Sequence, residues 1–187
     1  MKLIEAMQLS EHLLHDDNLL SHFTKCHVVG SIRRMKEEVN DIDIVAIPKT
    51  QYGFAELPLA DAIEFLDPRG KDEAKAMGRK GVSRFLNGDK IKRFKYHGMM
   101  IDLYLATAEN FEVLQLIRTG SEQHNIKLTS IAIGRGMRLY ANGDGLWNVR
   151  HNIDDPKNPI RVSLVSQSEN GILESLLGEI PPPEKRF

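Results

Sequence analysis

Three aspartates stand in segments whose other residues are mostly apolar, and this combination points to chemistry. Asp41 and Asp43 alternate with branched apolar residues between positions 39 and 47, and Asp102 interrupts the apolar run 99–105. Alternate residues of a β-strand point to one face, so Asp41 and Asp43 should stand side by side. A carboxylate removed from water is costly unless an opposite charge compensates it. These three side chains therefore need strong positive partners.

Two kinds of positive partner would satisfy the three carboxylates. Lysine or arginine side chains could pair with them, or divalent cations could bind them. Cations of the Mg²⁺ type prefer carboxylate oxygens and keep water ligands that substrate phosphates can replace. Solvated aspartates at a strand edge are the simpler explanation of Asp41 and Asp43 alone. Asp102, on a strand that could neighbour theirs, makes that explanation less favourable and leaves both kinds of positive partner open.

A glycine–serine turn precedes the paired aspartates and is suited to binding phosphate. The segment 30–34 reads Gly-Ser-Ile-Arg-Arg and follows a short apolar stretch that ends at Gly30. Glycine lets the backbone approach a ligand closely, and the first N–H groups of a helix starting at Ser31 would bind an anion. Arg33 or Arg34 can hold phosphate oxygens in a two-pronged fork. The simpler alternative is a capped turn with two solvated arginines. The order along the chain favours the phosphate site, because a phosphate-binding turn followed by paired aspartates on the next strand would place a triphosphate beside a metal.

The hydrophobic periodicity predicts alternating helices and strands that would carry these residues. Turn signals at Asn87-Gly88-Asp89 and His97-Gly98 separate three consecutive strands, and Ser121 and Ser168 are suited to cap helices. A change of pattern near 134–136 offers a soft internal boundary. The predicted helices are 2–14, 59–66, 109–117, 121–133 and 168–177, and the predicted strands are 26–30, 39–47, 80–85, 91–96, 99–105, 138–140, 146–149 and 160–165.

Taken together, these motifs resemble the nucleotidyltransferase core of the family X, or polymerase-beta-like, DNA polymerases. The core motifs are segments 30–34, 40–44 and 101–103. Segment 118–125, with its Thr-Gly-Ser, resembles the stretch that cradles the incoming nucleotide in that family, and segment 178–186 resembles the tail that closes the family's thumb. The resemblance runs over nearly the whole chain.

The resemblance implies an α+β fold, in which a nucleotidyltransferase palm with a mixed sheet and flanking helices is followed by a small α/β thumb. The palm would cover residues 1–106 and the thumb residues 107–187. Asp41, Asp43 and Asp102 would be the catalytic residues and would hold two Mg²⁺ ions, for which Mn²⁺ could substitute. The implied nucleotide-binding residues are Gly30, Ser31, Arg34, Asn40, Thr119, Gly120, Ser121, Glu122 and Asn125.

A basic segment between residues 69 and 95 could follow a nucleic-acid backbone. It holds ten Lys and Arg residues against three Asp and Glu residues, although the net charge of the whole chain is −1. A solvated charged face is the simpler explanation of such a run, and a surface facing phosphates is the more specific one. The expected DNA contacts are Arg79, Lys80, Lys92, Arg93 and Lys95.

Composition narrows the class of protein without deciding its function. The chain has 187 residues, of which 41% are hydrophobic and 27% charged, as in ordinary globular domains. Its one cysteine cannot form an intrachain disulfide, and neither a signal peptide nor a long apolar run is visible, so we expect a cytoplasmic or nucleoid-associated protein without membrane contact. We also expect it to act as a monomer. Fewer than 30 residues precede Gly30, which is too few for the family's lyase domain, so we expect no lyase activity.

The function expected on this basis is DNA-directed DNA synthesis. The enzyme would add deoxynucleotides to the 3′ end of a primer, with gapped or primer-template DNA as its partner, and would fill short gaps in DNA repair. One alternative keeps the chemistry but uses RNA, a protein or a small molecule as the acceptor. Another is a binding module without catalytic activity.

Overall fold

A mixed five-stranded sheet forms the centre of the first of two compact units, Met1–Thr107 and Ala108–Phe187. The computed structural model describes residues 1–16, 19, 21–49 and 86–186. The strands of the sheet are β1 (Phe23–Val28), β2 (Asp41–Pro48), β3 (Leu86–Asn87), β4 (Ile91–Tyr96) and β5 (Met99–Leu105). Their order in the sheet is β1-β2-β5-β4-β3, with β2 and β5 parallel and the other neighbours antiparallel.

The two faces of this sheet differ because side chains alternate along each strand. Ile42 and Ile44 of β2 and Ile101 and Leu103 of β5 are buried in one apolar cluster. Helix α1 (Leu3–Leu14) contributes apolar side chains to the same cluster. The intervening residues of β2 and β5, which include the three aspartates, therefore point to the opposite face.

The second unit has a separate core built from helices and a three-stranded antiparallel sheet. The helices are α3 (Phe111–Thr119), α4 (Glu122–Gly134) and α5 (Glu169–Leu177), and the sheet comprises β6 (Met137–Tyr140), β7 (Gly145–Arg150) and β8 (Ile160–Ser166). A short 3₁₀ turn, Pro183–Lys185, follows. Ser121 and Ser168 cap α4 and α5 by accepting hydrogen bonds from the backbone N–H groups of His124 and Gly171. These caps fix where the two helices begin.

The observed elements confirm the α+β class with a mixed sheet and flanking helices. The predicted helix 59–66 and strand 80–85 lie outside the described residues. The soft boundary near 134–136 lies inside the second unit, where it joins α4 to β6, because the core of that unit includes residues on both sides of it. The assignment of the two units as palm and thumb stays a prediction.

No helix in the described part of the chain combines the length and the apolar character needed to cross a membrane.

Candidate active site

A row of charged residues crosses the sheet of the first unit at one level. Asp43 lies directly opposite Asp102 in the parallel pairing of β2 with β5, and Asp102 lies directly opposite Arg93 in the antiparallel pairing of β5 with β4. Directly opposed residues have Cβ atoms about 5 Å apart and point to the same face. The sheet register therefore brings two of the three sequence-predicted carboxylates together with an arginine.

Arg93 compensates the charge of Asp102. Its Nε donates to Oδ1 of Asp102 at 2.5 Å, and its Nη2 donates to Oδ2 of the same carboxylate. Asp102 is only 2% exposed, so this fork satisfies a carboxylate that has little access to water. An arginine, one of the two kinds of partner left open by the sequence, is therefore in place at Asp102. Arg93 was expected to contact DNA, and its guanidinium is instead committed to the acidic site.

Asp43 lies in an environment that disfavours its charge. Burial, reinforced by the neighbouring negative charges of Asp41 and Asp102, raises the pKa of Asp43 to about 7. A hydrogen bond from Tyr104 and the positive charge of Arg34 act in the opposite direction. A further positive charge beside such a carboxyl group would strongly stabilise its ionised form.

Tyr104 is a member of the site that the sequence analysis did not identify. Its hydroxyl donates a hydrogen bond to Asp43 and lies 3.5 Å from Oδ2 of Asp102. The position follows from strand periodicity, because residue 104 is two places after Asp102 on β5 and shares its face. An aromatic residue on an apolar strand is usually a packing residue, so its type alone gave no signal.

The glycine–serine turn packs directly against Asp43. Gly30 has a φ of +61°, and a Cβ atom at this position would lie 2.0 Å from Oδ2 of Asp43. The backbone N–H of Val29 donates to the carbonyl oxygen of Asp43 at 2.8 Å, which fixes the turn to β2. The turn continues into the one-turn helix α2 (Gly30–Arg33), in which the hydroxyl oxygen of Ser31 is buried without a hydrogen-bond partner among the described residues. A buried hydroxyl of this kind suits a polar ligand.

Arg34 brings a second guanidinium to the acidic cluster. Burial lowers its pKa, while the charges of Asp43 and Asp41 oppose that shift. Arg34 follows α2 directly, so the turn and the arginine reach the aspartates together. Asn40, which immediately precedes β2, is exposed.

The Thr-Gly-Ser segment lies in the second unit, between α3 and α4. Thr119 is fully buried, Gly120 has a φ of +68°, and the peptide bond between Gly120 and Ser121 is cis. Glu122 is exposed on the first turn of α4. The side-chain amide of Asn125 donates to the backbone carbonyl of Ile117 at 2.8 Å. The side-chain hydrogen bonds of this segment therefore tie α3 to α4.

The remaining expected DNA contacts differ in their placement. Lys92 is 3% exposed and lies on the apolar face of β4 beside Phe94, so we withdraw it as a DNA contact. The reason is strand alternation, which turns Lys92 away from the face that Arg93 and Lys95 share. Lys95 is half-buried on that shared face. Arg79 and Lys80 lie outside the described residues.

The donor chemistry of the acidic cluster suits a hard divalent cation, although the cation site is not preformed. Carboxylate oxygens are the preferred ligands of such ions, and the raised pKa of Asp43 reflects its burial and, after that, the neighbouring negative charges of Asp41 and Asp102. Within residues 1–16, 19, 21–49 and 86–186, no group of three carboxylate, imidazole or thiolate side chains is arranged to hold one metal ion. The fork between Arg93 and Asp102 occupies one of the three carboxylates that such an arrangement would use. The carboxylate ligands therefore suit a divalent cation chemically, while Asp102 is hydrogen-bonded to Arg93.

Comparison with known proteins identifies the fold. No family model matches the chain. The DNA polymerase/3′-5′ exonuclease PolX of Bacillus subtilis (strain 168) is 30% identical over 134 residues, which is 72% of this chain and 20% of that protein. The crystal structure of Leishmania infantum polymerase beta in a ternary P/T complex matches with a TM-score of 0.68 at 18% identity, covering 100% of this chain and 76% of that chain. This is the family X polymerase-like fold.

The family X polymerase-like fold confirms the resemblance inferred from the motifs. The chain spans about a fifth of the length of its curated relative. The segments 30–34, 40–44 and 101–103, on which the resemblance rested, all contribute side chains to the row or to its immediate surroundings.

Proposed function

We propose that this chain is a DNA-directed DNA polymerase that adds deoxynucleotides to a primer 3′ end and fills short gaps in DNA repair. The observation that carries the proposal is the placement of Asp43 and Asp102 side by side on parallel strands, with the Gly30 turn packed against Asp43. The relatives that share this fold are named as DNA polymerases. Two adjacent carboxylates beside a phosphate-binding turn are what phosphoryl transfer requires.

In this proposal the nucleotide-binding residues take the roles that the resemblance implies. The first unit is the palm, where Ser31 and Arg34 bind the β- and γ-phosphates, aided by the backbone near Asn40. The second unit is the thumb, where the segment from Thr119 to Asn125 binds the sugar and base of the nucleotide. The primer 3′ oxygen attacks the α-phosphorus, and the bond from that phosphorus to pyrophosphate breaks. Arg34 stabilises the negative charge that spreads over the phosphate oxygens.

Asp41, Asp43 and Asp102 are the residues that would hold two Mg²⁺ ions, with Mn²⁺ as a substitute. Such ions, when bound, would supply a lowered pKa for the primer hydroxyl and charge neutralisation for the departing pyrophosphate. The chain's own contribution is to fix the carboxylates on neighbouring strands of one sheet. Tyr104 donates to Asp43, and Arg34 lies near Asp43 and Asp41, so the cluster is oriented before substrate arrives.

A second candidate function is nucleotide transfer to RNA, a protein or a small molecule. Two observations favour it. The net charge of the chain is −1, and of the expected DNA contacts Lys92 is buried while Arg93 is paired with Asp102. Both reduce the positive surface offered to a DNA backbone. Lys95, Arg79 and Lys80 remain the proposed DNA contacts.

A primer-extension panel over gapped, nicked, open and RNA substrates, with both deoxyribo- and ribonucleotides, tests the proposal. We expect extension of gapped DNA, and we expect Asp102→Ala to reduce its rate by about 100-fold or more, because a metal ligand supports several kcal/mol of catalysis. Glu38→Gln, which alters an exposed carboxylate, is the control and should extend normally. An Asp102→Ala protein as active as the wild type would overturn the assignment.

The salt dependence of binding to gapped DNA distinguishes a DNA acceptor from a small acceptor. If several Lys and Arg residues contact DNA phosphates, the affinity for gapped DNA should fall steeply with salt, with a logarithmic slope of about −0.9 per contact. A flat slope, together with transfer to a small acceptor, would favour the second function. Gel filtration with and without gapped DNA tests the expectation that the protein acts as a monomer.

A further inference from the structure

The pair formed by Arg93 and Asp102 engages both oxygens of one carboxylate. Arg93 Nε donates to Oδ1 and Nη2 donates to Oδ2, so each oxygen carries a charged hydrogen bond. A divalent cation binds through the same oxygens and is repelled by a guanidinium at that position. The fork leaves one lone pair free on each oxygen, so a cation could bind Asp102 beside Arg93 only against the charge of the guanidinium.

The two members of the pair differ in their freedom to move. The side chain of Asp102 is 3% exposed, whereas that of Arg93 is 28% exposed. Asp102 has a short side chain on the central strand β5, and Arg93 has a long, flexible stem on β4. The arginine is consequently the member that can turn toward solvent while the carboxylate stays in place.

From this geometry we propose that Arg93 is a positioning residue that competes with the divalent cation for Asp102. In the absence of the cation, Arg93 neutralises Asp102 and keeps its carboxylate oriented within the row. The cation binds Asp102 more favourably when Arg93 has turned away, so Arg93 weakens cation binding to the ligand-free protein. The inference rests on the proposed function, because it takes Asp102 as a cation ligand.

Mn²⁺ binding to the full chain, without nucleotide or DNA, tests the competition at about pH 8, where carboxylates in water are ionised. We expect Arg93→Gln to bind Mn²⁺ about tenfold more tightly than the wild type, since the cation no longer competes with a charged two-pronged hydrogen bond for the same carboxylate. Arg93→Lys, which keeps the charge but loses the fork, should fall between them. Electron paramagnetic resonance of free Mn²⁺ measures the three affinities directly.

Two further variants exclude a general charge effect. Lys90→Gln removes the same charge from an exposed position just before β4 and should change Mn²⁺ affinity much less. In an Asp102→Asn background, Arg93→Gln should give no gain, because the oxygen for which the arginine competed has lost its charge. An equal gain in both backgrounds would overturn the proposal.

A measurement on the wild-type protein keeps the test independent of how well the variants fold. The Nε–H of Arg93 should give a protected nuclear magnetic resonance signal that shifts and exchanges faster with water as Mg²⁺ is added. A signal that stays unchanged while Mg²⁺ binds would overturn the competition. Mn²⁺ binding that is insensitive to Arg93→Gln would refute the role of Arg93 alone, whereas no binding to any variant would refute the proposed function as well.

Discussion

At the scale of single residues, Asp43 is the group whose environment is most unusual. Burial and two neighbouring carboxylates raise its pKa to about 7, from an ordinary value of 3.8. The folded protein therefore keeps a proton on Asp43 at pH values where the unfolded chain has lost it. By linkage, such a group makes the fold less stable as pH rises between about 4 and 7, and adds no further dependence above that window.

We predict that Asp43→Asn removes much of this pH dependence. In metal-free buffer, the wild-type free energy of unfolding should lose on the order of a few kcal/mol from Asp43 between about pH 4 and 7, and the variant should lose less. Urea unfolding at several pH values measures both slopes. Asp154→Asn, which alters an exposed carboxylate, should retain the wild-type slope, and identical slopes for wild type and Asp43→Asn would contradict the prediction.

Gly30 is required at its position for two separate physical reasons. Its φ of +61° disfavours a side chain by about 1–2 kcal/mol, and a Cβ would collide with the Asp43 carboxylate. We predict that Gly30→Ala lowers stability and displaces Asp43, and thus weakens both nucleotide addition and Mn²⁺ binding. Thermal melting and a Mn²⁺ titration measure the two effects.

The matched control for this substitution is Gly98→Ala. Gly98 also has a positive φ, +81°, but nothing lies within 4 Å of the added Cβ. The Gly98→Ala variant should therefore lose stability but keep the Mn²⁺ affinity of the wild type. If the two variants behave alike, the contact between Gly30 and Asp43 has no functional consequence.

At the scale of elements, a buried polar network joins α3, α5 and the segment after α5 in the second unit. Glu169 accepts hydrogen bonds from Gln115 and from Nη1 of Arg186, each at 2.5 Å. Nε of Arg186 also donates to the carbonyl oxygen of Pro181 at 3.0 Å. Because Glu169 and Arg186 are both buried, each depends on the other for charge compensation.

We predict that Arg186→Met destabilises the second unit by about 3 kcal/mol or more, since it leaves the carboxylate of Glu169 buried without its cation. The double variant Glu169→Gln with Arg186→Met should recover part of this loss, because the uncompensated charge is then absent. Urea unfolding followed by circular dichroism measures both. Lys185→Met, at an exposed neighbouring position, is the control, and an equal cost there would argue against the network.

At the scale of the whole molecule, each unit contains its own apolar cluster. Ile42, Ile44 and Ile101 belong to the first cluster, and Leu128 and Ile172 belong to the second. Helices and strands adjacent in sequence supply the second cluster, so its contacts are largely local. A unit with its own core has what it needs to fold alone.

We therefore predict that a fragment of residues 108–187 folds cooperatively without the first unit. A fragment of this size is only marginally stable, so we expect a single thermal transition at a lower temperature than in the full chain. Circular dichroism melting measures this, with Leu128→Ala in the fragment as the control that should abolish the transition. A fragment without a cooperative transition would show that its core depends on the first unit.

The sequence by itself determined the features that depend on neighbours along the chain. The period of two in residues 39–47 places Asp41 and Asp43 on one face, the serines at 121 and 168 mark the helix starts, and the glycine at 30 marks the turn. These follow from backbone geometry and local hydrogen bonding, which act over a few residues. The α+β class and the family X polymerase-like fold were expected from the resemblance of the motifs to that family, and these local features agree with it.

Only the tertiary structure decided which residues meet across strands. The register of β4 against β5 places Arg93 opposite Asp102 and buries Lys92, although both basic residues had been expected to contact DNA. The same register brings Tyr104 into the cluster. A shift of one residue would turn every side chain of β4 to the other face, and packing of the whole sheet sets that shift. The charge balance of the site is therefore a property of strand pairing, which no local pattern encodes.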